Sequence, residues 1–331
     1  MMTFTIHASH RRLAAALAAI ALVSPLAACG SSSAADSADT TGDGTTVRVA
    51  YLSTANYLTT SKDDDFMKEA LRPDTVEFKG PFNPTDAFTA VTSGAADATS
   101  TGTGHFIDLI AEGQPWVAFA LEYYSGDSQG IVAAPDSGIE SLEDLYGKKV
   151  AITTKGATGD YIVHQAFAHA GLDASKVEEV ELSASNLNAA FTSGQVDAVA
   201  TFDQNLAAAM VVPGAKLLVD GTQYDSLNVS IHMVSKQFAE QHPDLVRKMY
   251  QALVEESDKA QKDPSVITDA YREFGASDDL VEQIAEFDVP VIRPIDADGL
   301  AMLEQQARQY VDFGFIDSAP DLKDSVIDCS E

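Results

Sequence analysis

Two segments of the 331-residue chain combine glycines with hydroxyl side chains, a composition that suits anion binding. The first is Ser-Thr-Gly-Thr-Gly-His at residues 100–105, and the second is Thr-Lys-Gly-Ala-Thr-Gly-Asp-Tyr at residues 154–161. Each leads into a predicted helix. The first N–H groups of a helix lack partners within it and lie at the positive end of its dipole, so they attract negatively charged groups. Both segments are therefore candidates for holding an anionic headgroup.

Side chains and one glycine in these segments could complete such a site. The candidates are Ser100, Thr101, Gly102, Thr103, Lys155, Thr158 and Tyr161. Other interpretations stay open, because Thr103 and Thr158 could serve only as helix N-caps and Lys155 could be a solvated loop lysine. Arg293 is a second cation that could reach a cleft, although a surface ion pair is the simpler explanation.

Residues that follow two of the predicted strands are further candidates for ligand contacts. Ser53, Asn56 and Tyr57 come after the first strand, and Phe202 and Asp203 come after a later one. Small-ligand pockets are mostly apolar with a few placed polar groups, and the two aromatic residues could supply such walls. Asp203 could hold the ammonium group of a ligand, or it could cap the helix that follows it.

The sequence contains no catalytic constellation. If Cys29 carries lipid, Cys329 has no partner, and the body of the protein has neither a disulfide framework nor a thiolate metal site. His105 has no cysteine or carboxylate partner in view, and the motifs of serine hydrolases, zinc proteases and P-loop enzymes are missing. We therefore expect a binding protein with no catalytic residues, no metal and no cofactor, and Cys329 as an exposed thiol.

The formal net charge of −29 limits the choice of partners. A surface this acidic repels nucleic acid and anionic lipid, and scattered acids of this kind are typical of a solvated face. The same charge repels a diffusing anion, so an anionic ligand would depend on local donors. A zwitterionic or neutral ligand therefore stays open.

The N-terminus predicts export. Arg11 and Arg12 precede an apolar run over residues 13–28, which is shorter than the roughly 20 apolar residues that span a bilayer. Such a run is typical of a signal peptide. Leu-Ala-Ala at residues 26–28 followed by Cys29 matches a bacterial lipobox, whose cysteine carries lipid; a chance cysteine after an ordinary signal peptide is the alternative.

From these features we predict a signal peptide over residues 1–28 and a lipidated tether over residues 29–45. The tether is rich in Ser, Thr and Asp, a composition that stays flexible. The remaining chain would be soluble apart from its anchor and would lie on the extracytoplasmic side of the cell membrane.

From Thr46 onward, short β-branched runs alternate with amphipathic helical patterns, which predicts an α/β protein with parallel sheets. About 300 residues remain after the leader, enough for two lobes. Gly171 is expected to close the helix over residues 160–170. The predicted strands cover residues 47–51, 97–99, 117–122, 129–134 and 149–152, and the predicted helices cover residues 85–93, 105–112, 142–146, 160–170, 205–210, 243–262 and 296–311.

The chain contains an internal repeat. Thr-Ser-Gly-Ala-Ala-Asp-Ala at residues 92–98 recurs as Thr-Ser-Gly-Gln-Val-Asp-Ala at residues 192–198, and Thr101 and Thr201 follow at the same distance. The pattern predicts a helix that ends at Ser-Gly, a short buried strand that begins at Asp-Ala, and a threonine where that strand stops. Ligands of open α/β sheets bind outside the carboxyl ends of strands. The repeat therefore favours two similar lobes around one cleft.

The repeated segments carry a family resemblance. Residues 90–103, 141–151 (Ser-Leu-Glu-Asp-Leu-Tyr-Gly-Lys-Lys-Val-Ala) and 189–203 resemble solute-binding proteins of the aliphatic sulfonate, taurine and nitrate ABC importers, here in lipoprotein form. This NMT1-like group also includes binders of thiamine-precursor pyrimidines. The likeness covers essentially the whole mature chain and is more specific for fold than for substrate.

The resemblance implies a two-lobed type II periplasmic binding protein fold with a ligand cleft between the lobes. Lobe 1 would comprise residues 46–135 and 229–331, and lobe 2 residues 136–228. Two strands would cross between the lobes, near residues 131–135 and 228–234. The three loops that begin at Ser53, Ser100 and Thr154 would converge on the ligand.

The implied function is to capture a small anionic or zwitterionic solute by lobe closure and to deliver it to an ABC permease and its ATPase. The protein would act as a monomer. We expect an aliphatic sulfonate or taurine as the substrate, with nitrate, an aromatic carboxylate and a pyrimidine vitamin precursor as alternatives. Aryl sulfinate desulfinases and pyrimidine synthases share the fold, but they need cysteines that this chain lacks in the cleft. A third functional class, besides binding proteins of importers and enzymes, is an anchored sensory or adhesion module built on the same lobes.

Overall fold

The computed structural model describes residues 44–330, and in this range the chain forms two β-sheets. Each sheet carries helices and has a hydrophobic cluster on both of its faces. The predicted α/β class is confirmed. The predicted signal peptide, Cys29 and nearly all of the tether lie outside the described residues.

Eleven strands build the sheets within this range. In chain order they are β1 (Thr46–Leu52), β2 (Thr75–Phe82), β3 (Ala98–Gly102), β4 (Trp116–Tyr123), β5 (Gln129–Ala133), β6 (Lys149–Ile152), β7 (Glu178–Glu181), β8 (Ala198–Phe202), β9 (Lys216–Asp220), β10 (Ser230–Ser235) and β11 (Val291–Arg293). The first sheet has the order β11-β4-β10-β3-β1-β2, and the second has the order β7-β6-β8-β5-β9.

Twelve α-helices lie in the described residues, and none of them combines the length and the apolar character needed to cross a membrane. They are α1 (Tyr57–Thr60), α2 (Phe66–Ala70), α3 (Pro84–Thr92), α4 (Thr103–Ala111), α5 (Thr158–His169), α6 (Ala184–Thr192), α7 (Asp203–Met210), α8 (Lys236–Gln241), α9 (Pro243–Lys262), α10 (Ser265–Glu273), α11 (Asp278–Ile284) and α12 (Ala297–Asp312).

The chain passes between the sheets twice. It leaves the first sheet after β4 and enters the second at β5, which pairs with β8 and β9. The crossing therefore lies between Tyr123 and Gln129, ahead of the predicted position at residues 131–135, because those residues already pair within the second sheet. The return lies between Asp220 and Ser230, since β10 belongs to the first sheet. Where one lobe ends and the other begins stays a prediction.

The two copies of the repeat occupy equivalent places in the two sheets. Helix α3 ends before Ser93 and α6 ends before Ser193, and the glycine that follows each serine, Gly94 or Gly194, has a left-handed φ of +75° or +70°. Glycine adopts this conformation without the steric penalty that a Cβ imposes. The predicted helix ends are confirmed.

The repeated aspartate tethers each strand to its neighbour. Asp97 Oδ2 accepts the backbone N–H of Arg48 on β1 at 2.8 Å. Asp197 Oδ2 accepts the backbone N–H of Lys149 on β6, also at 2.8 Å. β3 pairs in parallel with β1, and β8 pairs in parallel with β6. The carboxyl ends of β3 and β8 therefore hold equivalent positions in the two halves of the protein.

The C-terminal segment packs on the first sheet. The backbone N–H of Ile327 donates to the carbonyl oxygen of Ala118 on β4 at 2.9 Å. Cys329 lies in the hydrophobic cluster on one face of this sheet and is 5% exposed. Burial raises the pKa of its thiol to about 11. The prediction of an exposed thiol is wrong, because the last residues dock on β4 instead of ending in solvent.

Candidate functional site

The segment after β3 lies against the segment after β6. Gly102 is the N-cap of α4, and a Cβ added to it would lie 3.0 Å from Oγ1 of Thr158, the first residue of α5. Such a separation is tighter than ordinary van der Waals contact, so glycine permits the close approach. Two of the segments singled out in the sequence therefore meet, one from each sheet.

Asn228, on the return crossing, lies at the centre of this contact. Its Nδ2 donates to Thr158 Oγ1 and to Gln129 Oε1, both at 3.4 Å. Its carbonyl oxygen accepts from Gln129 Nε2 at 2.7 Å. Thr103 Oγ1 donates to Asn228 Oδ1 at 3.4 Å. We call these four residues, Thr103, Gln129, Thr158 and Asn228, the polar hub; it joins the two sheets where the chain crosses between them.

Helix α12 also bridges the halves. Thr103 Oγ1 donates to Gln306 Oε1 on α12 at 2.6 Å. Tyr161 of α5 donates through its hydroxyl to Gln309 Oε1 at 3.0 Å and accepts from the backbone N–H of Leu227 at 3.1 Å. Both predicted ligand residues, Thr103 and Tyr161, thus hold structural hydrogen bonds, and Tyr161 is fully buried.

The loop after β1 has a structural role at two of its predicted site residues. Asn56 caps α1, because its side chain accepts the N–H of Thr59 at 3.2 Å. Tyr57 is fully buried in the core of the first sheet, and its hydroxyl donates to the carbonyl oxygen of Pro290 at 2.6 Å. Ser53 is exposed at the end of the strand.

A fully buried carboxylate, Glu122, lies at the end of β4. Its Oε2 accepts the backbone N–H of Tyr57 at 2.8 Å and lies 3.0 Å from His232 Nε2. Its Oε1 accepts from the Tyr124 hydroxyl at 2.9 Å. These three neighbours give both carboxylate oxygens a hydrogen-bond partner, which offsets the cost of burying the group. It ties the loop after β1 to β10 and to the first crossing.

A cavity of about 40 Å³ lies next to the first crossing. Ala55 from the loop after β1, Tyr124 and Ser128 from the first crossing, and Asp203 after β8 line one side. Helices α10 and α11 and the segment after them line the other side with largely apolar residues, among them Ile267, Tyr271, Ile284 and Phe287. The cavity is therefore formed by strand ends from both sheets.

Asp203 stands out among the lining residues. Its φ is +46°, a left-handed conformation that non-glycine residues adopt rarely and often at functional sites. Burial raises the pKa of its carboxyl to about 7, and the nearby Glu122 carboxylate adds to the increase. The helix α7 receives no side-chain cap, so the capping interpretation of Asp203 is wrong. Ser128 beside it is 3% exposed, and its hydroxyl lowers the pKa of the same carboxyl, which opposes part of this increase.

The other predicted site residues do not line the cavity. Ser100 and Thr101 are buried on β3, and Ser100 Oγ has no partner within the described residues. Phe202 is half-buried at the end of β8, where it pairs with Gln129. Lys155 is exposed, and Arg293 lies over the ring of Tyr123 at 4.0 Å. Among the described residues, no lysine or arginine lines the cavity.

Sequence reasoning missed five of the residues that organise this site. Glu122, Gln129, Ser128, Asn228 and Gln306 lie on or beside strands, or on a distant helix. The single local signal is Glu122, a charged residue in the otherwise apolar strand Trp-Val-Ala-Phe-Ala-Leu-Glu-Tyr.

Comparison with known proteins identifies relatives of similar length. A family model described as NMT1/THI5 like matches residues 74–267. A protein of Escherichia coli (strain K12) named for binding aliphatic sulfonates is 26% identical over 241 residues, which cover 72% of this chain and 74% of that protein. The taurine-binding periplasmic protein of the same strain is 25% identical over 224 residues, which cover 66% of this chain and 68% of that protein.

Solved structures share the fold. The alkanesulfonate-binding protein SsuA from Xanthomonas axonopodis pv. citri, solved with MOPS bound, aligns with a TM-score of 0.77 at 19% identity, covering 87% of this chain and 99% of that one. The desulfurization enzyme DSZB aligns with a TM-score of 0.61 at 19% identity, covering 86% and 96%. The fold prediction is confirmed, and this fold serves both binding proteins and an enzyme.

Proposed function

The chain belongs to the NMT1/THI5-like family, and from that membership and the cavity between its two sheets we propose that it is the solute-binding protein of an ABC importer. It captures a small organic solute outside the cytoplasmic membrane, to which Cys29 anchors it through lipid. It delivers the solute, as a monomer, to a permease and its ATPase.

One observation carries the proposal: segments that follow strands of both sheets meet at one cavity. Ala55 and Asp203 follow β1 and β8, and Ser128 lies on the crossing between the sheets. A solute placed there touches both halves, so binding favours the closed arrangement of the two. This coupling is what an importer needs to recognise a loaded binding protein.

The cavity favours a solute with an amino group. Asp203 supplies a carboxyl, Ser128 supplies a hydroxyl, and none of the described lining residues is a lysine or arginine. Relatives named for binding aliphatic sulfonates and taurine support the sulfonate part of the proposed ligand. We therefore propose taurine or a similar amino-sulfonate, with its ammonium on Asp203.

A second candidate is an aminopyrimidine. A flat ring with an exocyclic amino group suits Asp203 together with the aromatic walls Tyr124, Tyr271 and Phe287. Nitrate and simple carboxylates fit this cavity less well, because they offer no donor to the Asp203 carboxylate.

Binding is favoured over catalysis by the position of the one cysteine in the described residues. Cys329 is buried in the core of the first sheet, where burial raises the pKa of its thiol to about 11. A nucleophilic cysteine needs a thiolate next to its substrate. Cys329 satisfies neither condition, since it does not line the cavity.

Thermal unfolding in the presence of single solutes tests the proposal. The panel is taurine, ethanesulfonate, nitrate, phthalate and an aminopyrimidine. A true ligand at a hundredfold excess over its Kd adds about 2.7 kcal/mol to the free energy of unfolding and raises Tm. We expect taurine to give the largest shift, and Asp203→Asn to abolish it.

The matched control is Asp258→Asn, which removes the same charge from an exposed position on α9. It should leave the shift unchanged. A shift with the aminopyrimidine alone would select the second candidate. No shift with any solute of the panel would contradict the proposed substrate classes.

A further inference from the structure

Three side chains that could bind a metal ion lie together on the second sheet, apart from the cavity. Asp160 and His164 are four residues apart on α5 and therefore share one face of that helix. Glu179 lies on the edge strand β7. His164 Nε2 is 3.3 Å from Asp160 Oδ1 and 3.9 Å from Glu179 Oε1, and the three atoms lie within 4.8 Å of one another.

Two of these oxygens are buried without a hydrogen-bond donor among the described residues: Asp160 Oδ1 and Glu179 Oε1. The side chain of Asp160 is only 3% exposed. Its other oxygen, Oδ2, accepts the backbone N–H of Gly156 at 2.7 Å, which fixes the carboxylate with Oδ1 directed at the cluster. A cation between these two oxygens would offset the cost of burying them.

We propose that Asp160, His164 and Glu179 bind one divalent transition-metal ion, with Zn²⁺ as the best fit. Zinc accepts imidazole nitrogen and carboxylate oxygen ligands, whereas calcium and magnesium prefer oxygen ligands alone. Tetrahedral bonds of about 2.0 Å place neighbouring ligand atoms about 3.3 Å apart, which is the distance between His164 Nε2 and Asp160 Oδ1. Glu179 must approach by a small side-chain rotation.

Aromatic residues after α12 pack over this site. The ring of His164 lies 4.9 Å from the ring of Phe315 in an edge contact and 5.4 Å from the ring of Phe313. These contacts hold the orientation of the imidazole, as surroundings of metal ligands commonly do. Because α12 also contacts Thr103 through Gln306, metal binding would stiffen a segment that touches both sheets.

Titration of the purified chain with zinc chloride, followed by calorimetry, tests the inference. We expect one zinc ion per chain. His164→Ala and Glu179→Gln should each weaken the affinity at least about tenfold. The matched control is His169→Ala, which removes an exposed histidine from the end of the same helix and should bind zinc as the wild type does.

A second readout keeps the result interpretable. Circular dichroism of each variant separates lost binding from lost folding. Absence of zinc binding, or equal binding by wild type, His164→Ala and Glu179→Gln, would overturn the proposal.

Discussion

At the scale of single residues, Asp203 combines a strained backbone conformation with a carboxyl group whose pKa is raised by burial. Its left-handed backbone and its carboxyl pKa of about 7 both oppose folding, yet no hydrogen bond to α7 compensates them. Residues held in such conformations persist where the surrounding structure or the function requires them. A bound ammonium group would stabilise the ionised carboxylate.

The stability of the ligand-free protein should reveal this cost. A carboxyl whose pKa rises from about 4 when unfolded to about 7 when folded destabilises the protein progressively between those pH values. Asp203→Asn removes the titration and should therefore stabilise the protein more at about pH 7.5 than at about pH 4.5 in urea denaturation. Asp258→Asn should show no such gain, and an equal effect of both variants would contradict the assignment.

Residues with tertiary roles were the hardest to predict. Thr103 and Tyr161 were singled out for ligand binding, and the structure gives both of them hydrogen bonds to α12. Glu122 and Asn228 were not singled out at all, because the partners Thr158 and His232 lie 70 and 110 residues away from Asn228 and Glu122 in the chain. Local pattern indicates which residues are polar, but only the packed fold determines which polar residues meet.

At the scale of elements, buried strands were predictable and edge strands were not. β1, β6 and the 20-residue helix α9 lie where their patterns indicated, because apolar side chains recur at the period of the element. β2, β7 and β9 were missed, and each lies at the edge of a sheet with few fully buried residues. Helices α10 and α11, which cover the cavity, were also missed.

The repeat allows a prediction about its two aspartates. Both accept a hydrogen bond from the neighbouring strand, but their surroundings differ. Asp97 accepts the strand N–H and also pairs with the Arg48 guanidinium at 2.6 Å, whereas Asp197 accepts the strand N–H in a more exposed setting. Asp97→Ala should lower the free energy of unfolding by about 1–3 kcal/mol, and Asp197→Ala by about 1 kcal/mol or less.

Chemical denaturation of both variants measures this difference. The comparison needs no outside control, because each variant serves as the control for the other. A larger loss for Asp197→Ala than for Asp97→Ala would contradict the account of the repeat.

At the scale of the whole molecule, the cavity is too small for its proposed ligand. A volume of about 40 Å³ accommodates water, whereas organic ligands occupy pockets of about 300 Å³ or more. The two halves are in direct contact through the polar hub and through Tyr161. Solute binding therefore requires the halves, or the helices over the cavity, to move apart.

Tyr161→Phe should shift this equilibrium toward an open form. It removes the hydrogen bond to Gln309 and the acceptor for the N–H of Leu227. The ligand-free variant should have a larger radius of gyration in small-angle X-ray scattering than the wild type. Tyr146→Phe is the control, since its hydroxyl contacts Asp173 within the second half. Equal radii for all three proteins would contradict the proposed closure.

The central claim is that the protein binds a small amino-sulfonate through Asp203, and calorimetric titration with taurine and with ethanesulfonate tests it most directly. The two solutes differ only by the amino group, so their comparison isolates the contact with the carboxylate. We predict one taurine bound per chain and at least about tenfold weaker binding of ethanesulfonate, as loss of a charged hydrogen bond implies. Equal affinity for the two solutes, or no binding of either, would contradict the account.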